Sequence, residues 1–439
     1  LLRHRPSSPL PYGFVIPMHP VSQLLHLVDG RHQLFPTDFD REASPSPQVV
    51  LVDRLCGIGE ERVRMLLDRS FIVRGLERDE ILAMGEVIAG QDHCLIPGLI
   101  DVHEHLLGGS GEAGFRTQTP AITLSELVTA GITTVVGCLG VDTTTKTMLG
   151  LLAQAKALRE EGLTAYIYSG GYNVPPVTLT GSLRNDLLLI DEVIGAGEIA
   201  IADHRAPHAS VPELARLVCD AHVGGMLSGK AGVTHFHVGD HESRLNVLWA
   251  LLNEYPIEPG WLYPTHVERQ RPLLESAAAF SRLGAFVDID TVEEDLTQQL
   301  HCYLEYNGVP ERLTVSSDAA ISSPRTLFEQ VRACVLEKDY APELVLSLAT
   351  ANPAQVLNLS RKGLIAVGRD ADLVLLRRAS WEIDCVIARG KVLLRDGKLL
   401  VNETFLAESN RRITLYGRKQ RNAQSAPAEN DGETAREEC

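Results

Sequence analysis

From residue 95 onward the apolar positions fall into short runs separated by longer amphipathic stretches, and the alternation is regular. Runs at 95–103, 132–140, 164–172, 198–203, 232–239, 261–267, 284–291 and 313–318 read as eight buried strands. The segments between them carry a helical period. Two open with a capping box, Thr123-x-x-Glu126 and Ser210-x-x-Glu213, whose side chains satisfy the unpaired amides of a first helical turn. Eight strands, each followed by a helix, predict an α/β architecture with a (β/α)8 TIM-like barrel over 95–359.

The pattern differs on either side of this block. Residues 1–20 are broken by prolines and predict an irregular N-terminal segment. Over 21–94 come short apolar runs, LLHLVDG (24–30), VVLVD (49–53) and FIVRG (71–75), with one helix-like stretch at 58–68. After the eighth strand, helices are expected at 325–338, 343–350 and 353–358. The period then returns to two in LIAV (364–367), ADLVLL (371–376), DCVIARG (384–390) and KVLLRDGKLL (391–400), with Asp396-Gly397 as a hairpin turn. These flanks predict a small β-sandwich domain built from both chain ends, 21–94 and 360–415. Residues 416–439 lack apolar periodicity and predict a disordered tail.

Composition narrows the function. A formal charge of −16 disfavours nucleic acid and anionic membrane as partners and leaves small molecules and other proteins. The eight cysteines are scattered without a C-x-x-C pair, which argues against a disulfide framework or a cysteine-built zinc site and for a reducing, cytoplasmic compartment. No apolar run reaches the length of a membrane-spanning helix, and no convincing signal peptide is visible.

Candidate chemistry gathers at the predicted strand tips, where barrels of this kind place their active sites. In DVHEHLLGGSGEAG (101–114), His103 and His105 are spaced i and i+2, so an extended strand points both to one side, and neutral imidazole is the commonest zinc ligand. Tyr172, Glu198, His237, His266 and Asp318 fall at the ends or starts of later strands. Four histidines and two carboxylates supply ligands for two divalent ions about 3.5–4 Å apart, bridged by a carboxylate and a hydroxide. Each residue also has an ordinary alternative. His237 or its neighbour His235 can be a core histidine, His266 a turn residue, Asp318 a helix N-cap and Glu198 a solvated residue opening its strand.

Taken together, PGLIDVHEH, the GGSGEAG loop, GGYNVP (170–175), ADHRA (202–206), FHVGD (236–240), PTHVERQ (264–270), SSDAAIS (316–322) and TANPAQVLNL followed by KGLIAVGRDADLVLL (350–376) resemble the amidohydrolase superfamily, and within it the isoaspartyl (β-aspartyl) dipeptidases. The resemblance implies that His103 and His105 bind one metal and His237 and His266 the other, with Asp318 on the first and acting as proton shuttle. It further implies Glu112 as partner of the substrate's α-amine, Tyr172 as donor to the developing oxyanion, Arg205 and Arg269 as clamps on the C-terminal carboxylate, and Ser322 as a contact to the aspartyl α-carboxylate. The expected cofactor is two zinc ions per chain, although the ligand set also accepts iron, manganese or cobalt. The expected partner is a dipeptide or N-acyl amino acid substrate, and the expected assembly a homo-oligomer.

Two positions depart from the family pattern. Glu198 stands where the family has a carbamylated Lys bridging both metals. Its carboxyl carbon lies three bonds nearer the backbone, a reach shorter by roughly 3–4 Å. Val141 stands where the family offers a Thr to the substrate's α-carboxylate, and a methyl donates no hydrogen bond. The connection after Asp318 also looks short. The implied reaction is attack of a metal-activated hydroxide on the amide of a β-aspartyl dipeptide. The rivals are a deacetylase, cyclic-amide hydrolase or deaminase on the same scaffold, and a non-catalytic scaffold protein.

Overall fold

The computed structural model describes residues 50–410, except 54, 57–61, 64–65, 69–70, 75–85, 91, 207, 294 and 339. The segment expected to be irregular at 1–20, the run at 24–30 and the tail at 416–439 lie outside the described residues. Strands β1 (Val50–Asp53), β2 (Leu55–Cys56), β3 (Arg62–Val63), β4 (Leu66–Asp68), β5 (Phe71–Arg74) and β6 (Glu86–Ala89) come first. Of the helix expected within 58–68, the described residues 62–63 and 66–68 are strand instead, because Leu67 pairs with Ile72 of β5 and sheet pairing overrides the local pattern. β1, β4, β5 and β6 form a four-stranded sheet in the order β5-β4-β1-β6.

The single strand expected over 95–103 is two strands, β7 (His93–Pro97) and β8 (Leu99–Glu104). Between them the chain leaves one sheet for another at Gly98, where any Cβ would collide with the Thr133 side chain. β8, β9 (Ile132–Gly137), β10 (Thr164–Ser169), β11 (Val193–Ile201), β12 (Val233–Val238) and β13 (Leu262–Thr265) run parallel in that order, and β14 (Val287–Asp290) pairs in parallel with β15 (Leu313–Ser316). Isolated hydrogen bonds span the two seams. The Val267 amide donates to Asp288 O at 3.4 Å, the Asp318 amide to His103 O at 3.1 Å, and the His105 amide to Ala319 O at 3.0 Å. The eight strands thus make one curled parallel sheet, consistent with a TIM-like barrel.

A helix follows each strand: α1 (Leu124–Thr129), α2 (Met148–Glu161), α3 (Leu183–Leu189), α4 (Val211–Ser228), α5 (Asn246–Glu254), α6 (Arg271–Ser281), α7 (Leu296–Glu305) and α8 (Arg325–Lys338). Both expected capping boxes form. Glu126 accepts from the Thr123 amide at 2.9 Å, and Glu213 from the Ser210 amide at 2.8 Å. Every residue of β8, β9, β11 and β12 is buried, as strands covered on both faces must be.

α9 (Pro342–Ser347) and α10 (Ala351–Val356) lead to β16 (Leu373–Arg377), β17 (Ile383–Ala388), β18 (Lys391–Arg395) and β19 (Lys398–Leu399). These join β7, β2 and β3 in a seven-stranded sheet, β19-β18-β17-β16-β7-β2-β3, so one sheet draws strands from both sides of the barrel in sequence. The strand expected at 364–367 is absent. Gly363 and Gly368 flank it at φ 75° and 83° and turn the chain at both ends, leaving Leu364 and Val367 exposed. No described helix is long and apolar enough to cross a membrane.

Candidate active site

Five of the six candidate metal ligands sit at or just beyond one set of strand ends, and the sixth, Glu198, lies within β11. His103 is the penultimate residue of β8 and His105 one residue past it, stitched to the loop after β15 by the two seam hydrogen bonds, which bring Asp318 beside them. Glu198 is not at the start of its strand, as the sequence suggested. β11 begins at Val193, and its register with β12 slips between Ala196 and Ile199, a bulge that re-aims the intervening side chain. His237 lies in β12 paired with Thr265, so His266 follows at the neighbouring tip. His266 and Asp318 both adopt left-handed backbone, at φ 62° and 45°, a conformation that costs non-glycine residues of order 1–3 kcal/mol and persists only where the surroundings hold it.

One oxygen, Glu198 Oε2, lies 3.2 Å from His103 Nε2, 3.0 Å from His237 Nδ1 and 3.2 Å from His266 Nε2. Asp318 Oδ1 lies 3.4 Å from His103 Nε2 and 3.1 Å from His105 Nε2. His103 Nε2 is fully buried and, despite two carboxylates at that range, makes no hydrogen bond among the described residues; nor does Glu198 Oε1. Donor and acceptor point past each other. The misaligned His103 contacts fit lone pairs converging on a common point, the geometry of ligands around a cation, while Glu198 Oε2 also lies in hydrogen-bonding geometry with His237 Nδ1 and His266 Nε2. The donor set of imidazoles and carboxylates suits a divalent metal, and two three-residue groups, Glu198, His237 and His266, and His103, His266 and Asp318, present ligand atoms within 4.8 Å of one another.

The second nitrogen of the buried histidines is also held. His103 Nδ1 meets His235 Nε2 at 2.8 Å, and His235 Nδ1 meets the Tyr263 carbonyl at 3.1 Å, so the histidine that alternation left as a core residue orients a candidate ligand. His266 Nδ1 meets Asp290 Oδ2 at 2.6 Å, and His237 Nε2 meets Asp203 Oδ2 at 3.0 Å. Neither acid nor His235 was singled out from the sequence as functional. His235→Ala is expected to lower metal affinity about 10–100-fold, the usual cost of losing an outer partner, without unfolding the chain. Competition against a chelator measures it, and an unchanged affinity would reduce His235 to packing.

Burial and charge set the protonation states. Burial drives His103 down to about 4 and His235 well below the ordinary imidazole range, favouring neutral rings. Burial and Arg269 also push His266 down, but Asp290, Glu198 and Asp318 outweigh them and raise it to about 9. Burial pushes Glu198 and Asp318 up, yet the surrounding imidazoles win and hold both below the usual carboxylate range. Tyr172 is raised well above 10 by burial, so its phenol keeps its proton.

Beneath the histidines, Asp101 is fully buried and raised to about 7 by desolvation, although it accepts from the Ser317 and His103 amides at 3.2 Å. Its folded pKa exceeds the unfolded value of 3.8, so the folded chain binds the extra proton between the two. Stability is therefore expected to fall by up to about 1.4 kcal/mol per pH unit from pH 4 to 7 on its account. Denaturant unfolding of Asp101→Asn beside the parent should show that slope removed; parallel profiles would refute it.

At the mouth, a cleft of about 580 Å³ is lined by Glu112, Phe115, Val141, Asp142 and Arg205 among others. Arg205 forks onto Asp203 at 2.7 and 3.0 Å and reaches Glu112 at 2.8 Å, so two expected substrate contacts pair with each other. Its Nη2 also lies 3.0 Å from His237 Nε2, and Tyr172 Oη 3.0 Å from His237 Nδ1, which ties the cleft to the ligand cluster. Arg269 is mostly buried, with Nη1 3.4 Å from His237 Nε2 and from the Val238 carbonyl. Ser322 Oγ is buried without a hydrogen-bond partner. Residues 319–324 are all that joins Asp318 to α8, with Ile321 86% exposed beside them.

The amidohydrolase family model matches residues 94–393 of this chain, the span that carries both barrel and site. The chain belongs to the amidohydrolase family. This amidohydrolase is similar to the β-aspartyl dipeptidase of the thermophilic, keratin-degrading Fervidobacterium islandicum AW-1, at 37% identity over 81% of this chain and 99% of that one, with a TM-score of 0.77. A second structure of that enzyme, in complex with the β-Asp-Leu dipeptide, matches at 36% identity over 82% and 99% of the two chains, also at 0.77. A zinc-containing mutant of atrazine chlorohydrolase from Arthrobacter aurescens TC1 matches at 16% identity over 82% and 98%, with a TM-score of 0.57, a likeness of fold alone. The amidohydrolase described here is an enzyme, a hydrolase, of a family that generally uses divalent metal.

Proposed function

We propose that this amidohydrolase cleaves the isopeptide amide of β-aspartyl dipeptides, with two zinc ions held by His103, His105, Glu198, His237, His266 and Asp318. The observation that carries the reading is the Glu112–Arg205 pair at 2.8 Å, one carboxylate and one guanidinium lining a cleft, with the same Arg205 3.0 Å from His237 of the candidate ligand cluster. A zwitterionic dipeptide presents the complementary ammonium and carboxylate. Exchanging an ion pair whose glutamate is 55% exposed costs little, because such a pair contributes little by itself. The likeness to an enzyme solved with β-Asp-Leu supports the same class. The two mixed sheets flanking the barrel are read as its small β-sandwich domain, and the assembly as a homo-oligomer.

When bound, divalent metal supplies Lewis acidity and a lowered pKa for water. The chain's own groups do the rest. Asp318, touching His105 and near His103, is placed to take the proton from the attacking water and return it to the leaving amine. Tyr172, kept protonated by burial, donates to the oxygen on which negative charge develops. Arg205 and Arg269 hold the C-terminal carboxylate, and the unpartnered Ser322 hydroxyl is free to donate to the aspartyl α-carboxylate.

Val141 favours a second reading. It lines the cleft beside Glu112 and Arg205 and offers no donor, which suits an N-acyl amino acid without a second carboxylate. Hydrolysis of β-aspartyl-leucine, α-aspartyl-leucine and N-acetyl-leucine, with and without chelator, separates the two. We expect the β-aspartyl substrate to be preferred and chelator to abolish turnover. Preference for N-acetyl-leucine would give the site to the second reading.

A further inference from the structure

The strand neighbouring the His103–His105 segment contributes one more donor. Cys138 follows the end of β9 and is buried, and its Sγ lies 3.8 Å from His105 Nδ1. Sγ, one nitrogen each of His103 and His105, and one Glu198 oxygen all lie within 4.8 Å of one another. We infer that Cys138 is a thiolate ligand completing, with His103, His105 and Glu198, a four-donor site for one divalent metal of zinc-like softness. The inference rests on the reading of this cleft as a metallohydrolase site and refines which residues hold its first ion.

Three independent observations point to it. Two members of the quartet, Glu198 Oε1 and His103 Nε2, are buried without a hydrogen-bond partner among the described residues. Space is kept clear beside them: a Cβ on Gly140 would stand 2.9 Å from His105 Cε1 and 3.6 Å from both His105 Nδ1 and Glu198 Oε1, so the backbone approaches there only as glycine. Finally, the spacing fits. Metal–sulfur and metal–nitrogen bonds of about 2.3 and 2.0 Å subtend a tetrahedral edge of about 3.5 Å, close to the Sγ–Nδ1 separation.

The arrangement also accounts for the short reach of Glu198. A carboxylate in place of a longer bridging group comes less far into the cleft, and a polarizable sulfur on the adjacent strand supplies the donor that the shorter group cannot bring. If His105 binds through Nδ1, its Nε2–H donates to Asp318 Oδ1 at 3.1 Å, and Asp318 orients that ring. On metal binding the thiol loses its proton to solvent, since a coordinated sulfur is a thiolate.

X-ray absorption at the zinc edge of the zinc-loaded, full-length wild type tests this without any variant. A sulfur scatterer at about 2.3 Å is expected, and a shell of nitrogen and oxygen alone overturns the inference. In Cys138→Ser, with folding checked by circular dichroism, zinc affinity measured against a competing chelator should fall by more than the roughly 10–100-fold that loss of an outer partner costs. A smaller fall makes Cys138 a partner of His105 and overturns its role as ligand. A chain that binds zinc without sulfur and still hydrolyses β-aspartyl-leucine loses only this inference. A chain that binds no zinc loses the metallohydrolase reading with it.

Discussion

Asp318→Asn is expected to lower kcat for β-aspartyl-leucine by about 10³-fold or more, with the fold unchanged, because a positioned proton-transfer group contributes about 10²–10⁴-fold. The substitution is nearly isosteric. An amide oxygen can still accept where Oδ1 faces His105 Nε2 at 3.1 Å, and the amide hydrogen bond to His103 O that fixes the loop does not involve the side chain. What the amide cannot do is carry a proton from nucleophile to leaving group. The carboxylate is well placed for that step, since its side chain keeps 15% exposure whereas Glu198 has none. KM should change far less than kcat. The measurement is steady-state kinetics on protein whose metal content has been determined in the same sample. Turnover within an order of magnitude of wild type would remove Asp318 from proton transfer, because no such loss is then seen.

The part of the site that lies on strand tips was legible in the chain because the strand period fixes which end of each run faces the cleft. His103, His105, His237, His266 and Asp318 all fall within two residues of such an end. What escaped is set by neighbours distant in sequence. Asp290 reaches His266 across 24 positions and His235 reaches His103 across 132, and no local pattern distinguishes either from a buried polar residue. The i−2 spacing of His235 from His237 was the one available hint. Cys138 was set aside by the same arithmetic that rightly finds cysteine clusters, because its partners are imidazoles on another strand. The fold shows the same limit. The run through 95–103 is broken only by Pro97-Gly98, and the pairing of β7 with β16 and of β8 with β9 is what reveals that the chain changes sheets there. At 364–367 the opposite holds: four apolar residues look like a strand, but the glycines on both sides turn the backbone away from any partner.

Glu198→Ala should be the most disruptive change in the candidate site, lowering metal content from the two proposed ions to one or none and abolishing turnover. Its Oε2 is the shared neighbour of His103, His237 and His266, at 3.0 to 3.2 Å from each, and the residue is completely buried. Without it, His103, His237 and His266 lose the one carboxylate oxygen that all three share, and of the three Asp318 remains beside His103 and His266 only. Removing one partner of a buried ionic cluster costs about 3–5 kcal/mol, more than the loss of the same atoms at a surface. His266 should respond most, since Glu198 and Asp290 are the hydrogen-bonding partners that raise its pKa to about 9 against burial and Arg269. Glu198→Gln separates the two contributions: it preserves the volume and one acceptor oxygen but not the charge. The order wild type, Gln, Ala is therefore expected both in metal stoichiometry by elemental analysis and in melting temperature. If Ala retained the wild-type metal content, Glu198 would be no bridge, and the shorter carboxylate on β11 would be a core residue that merely lies near the ligands.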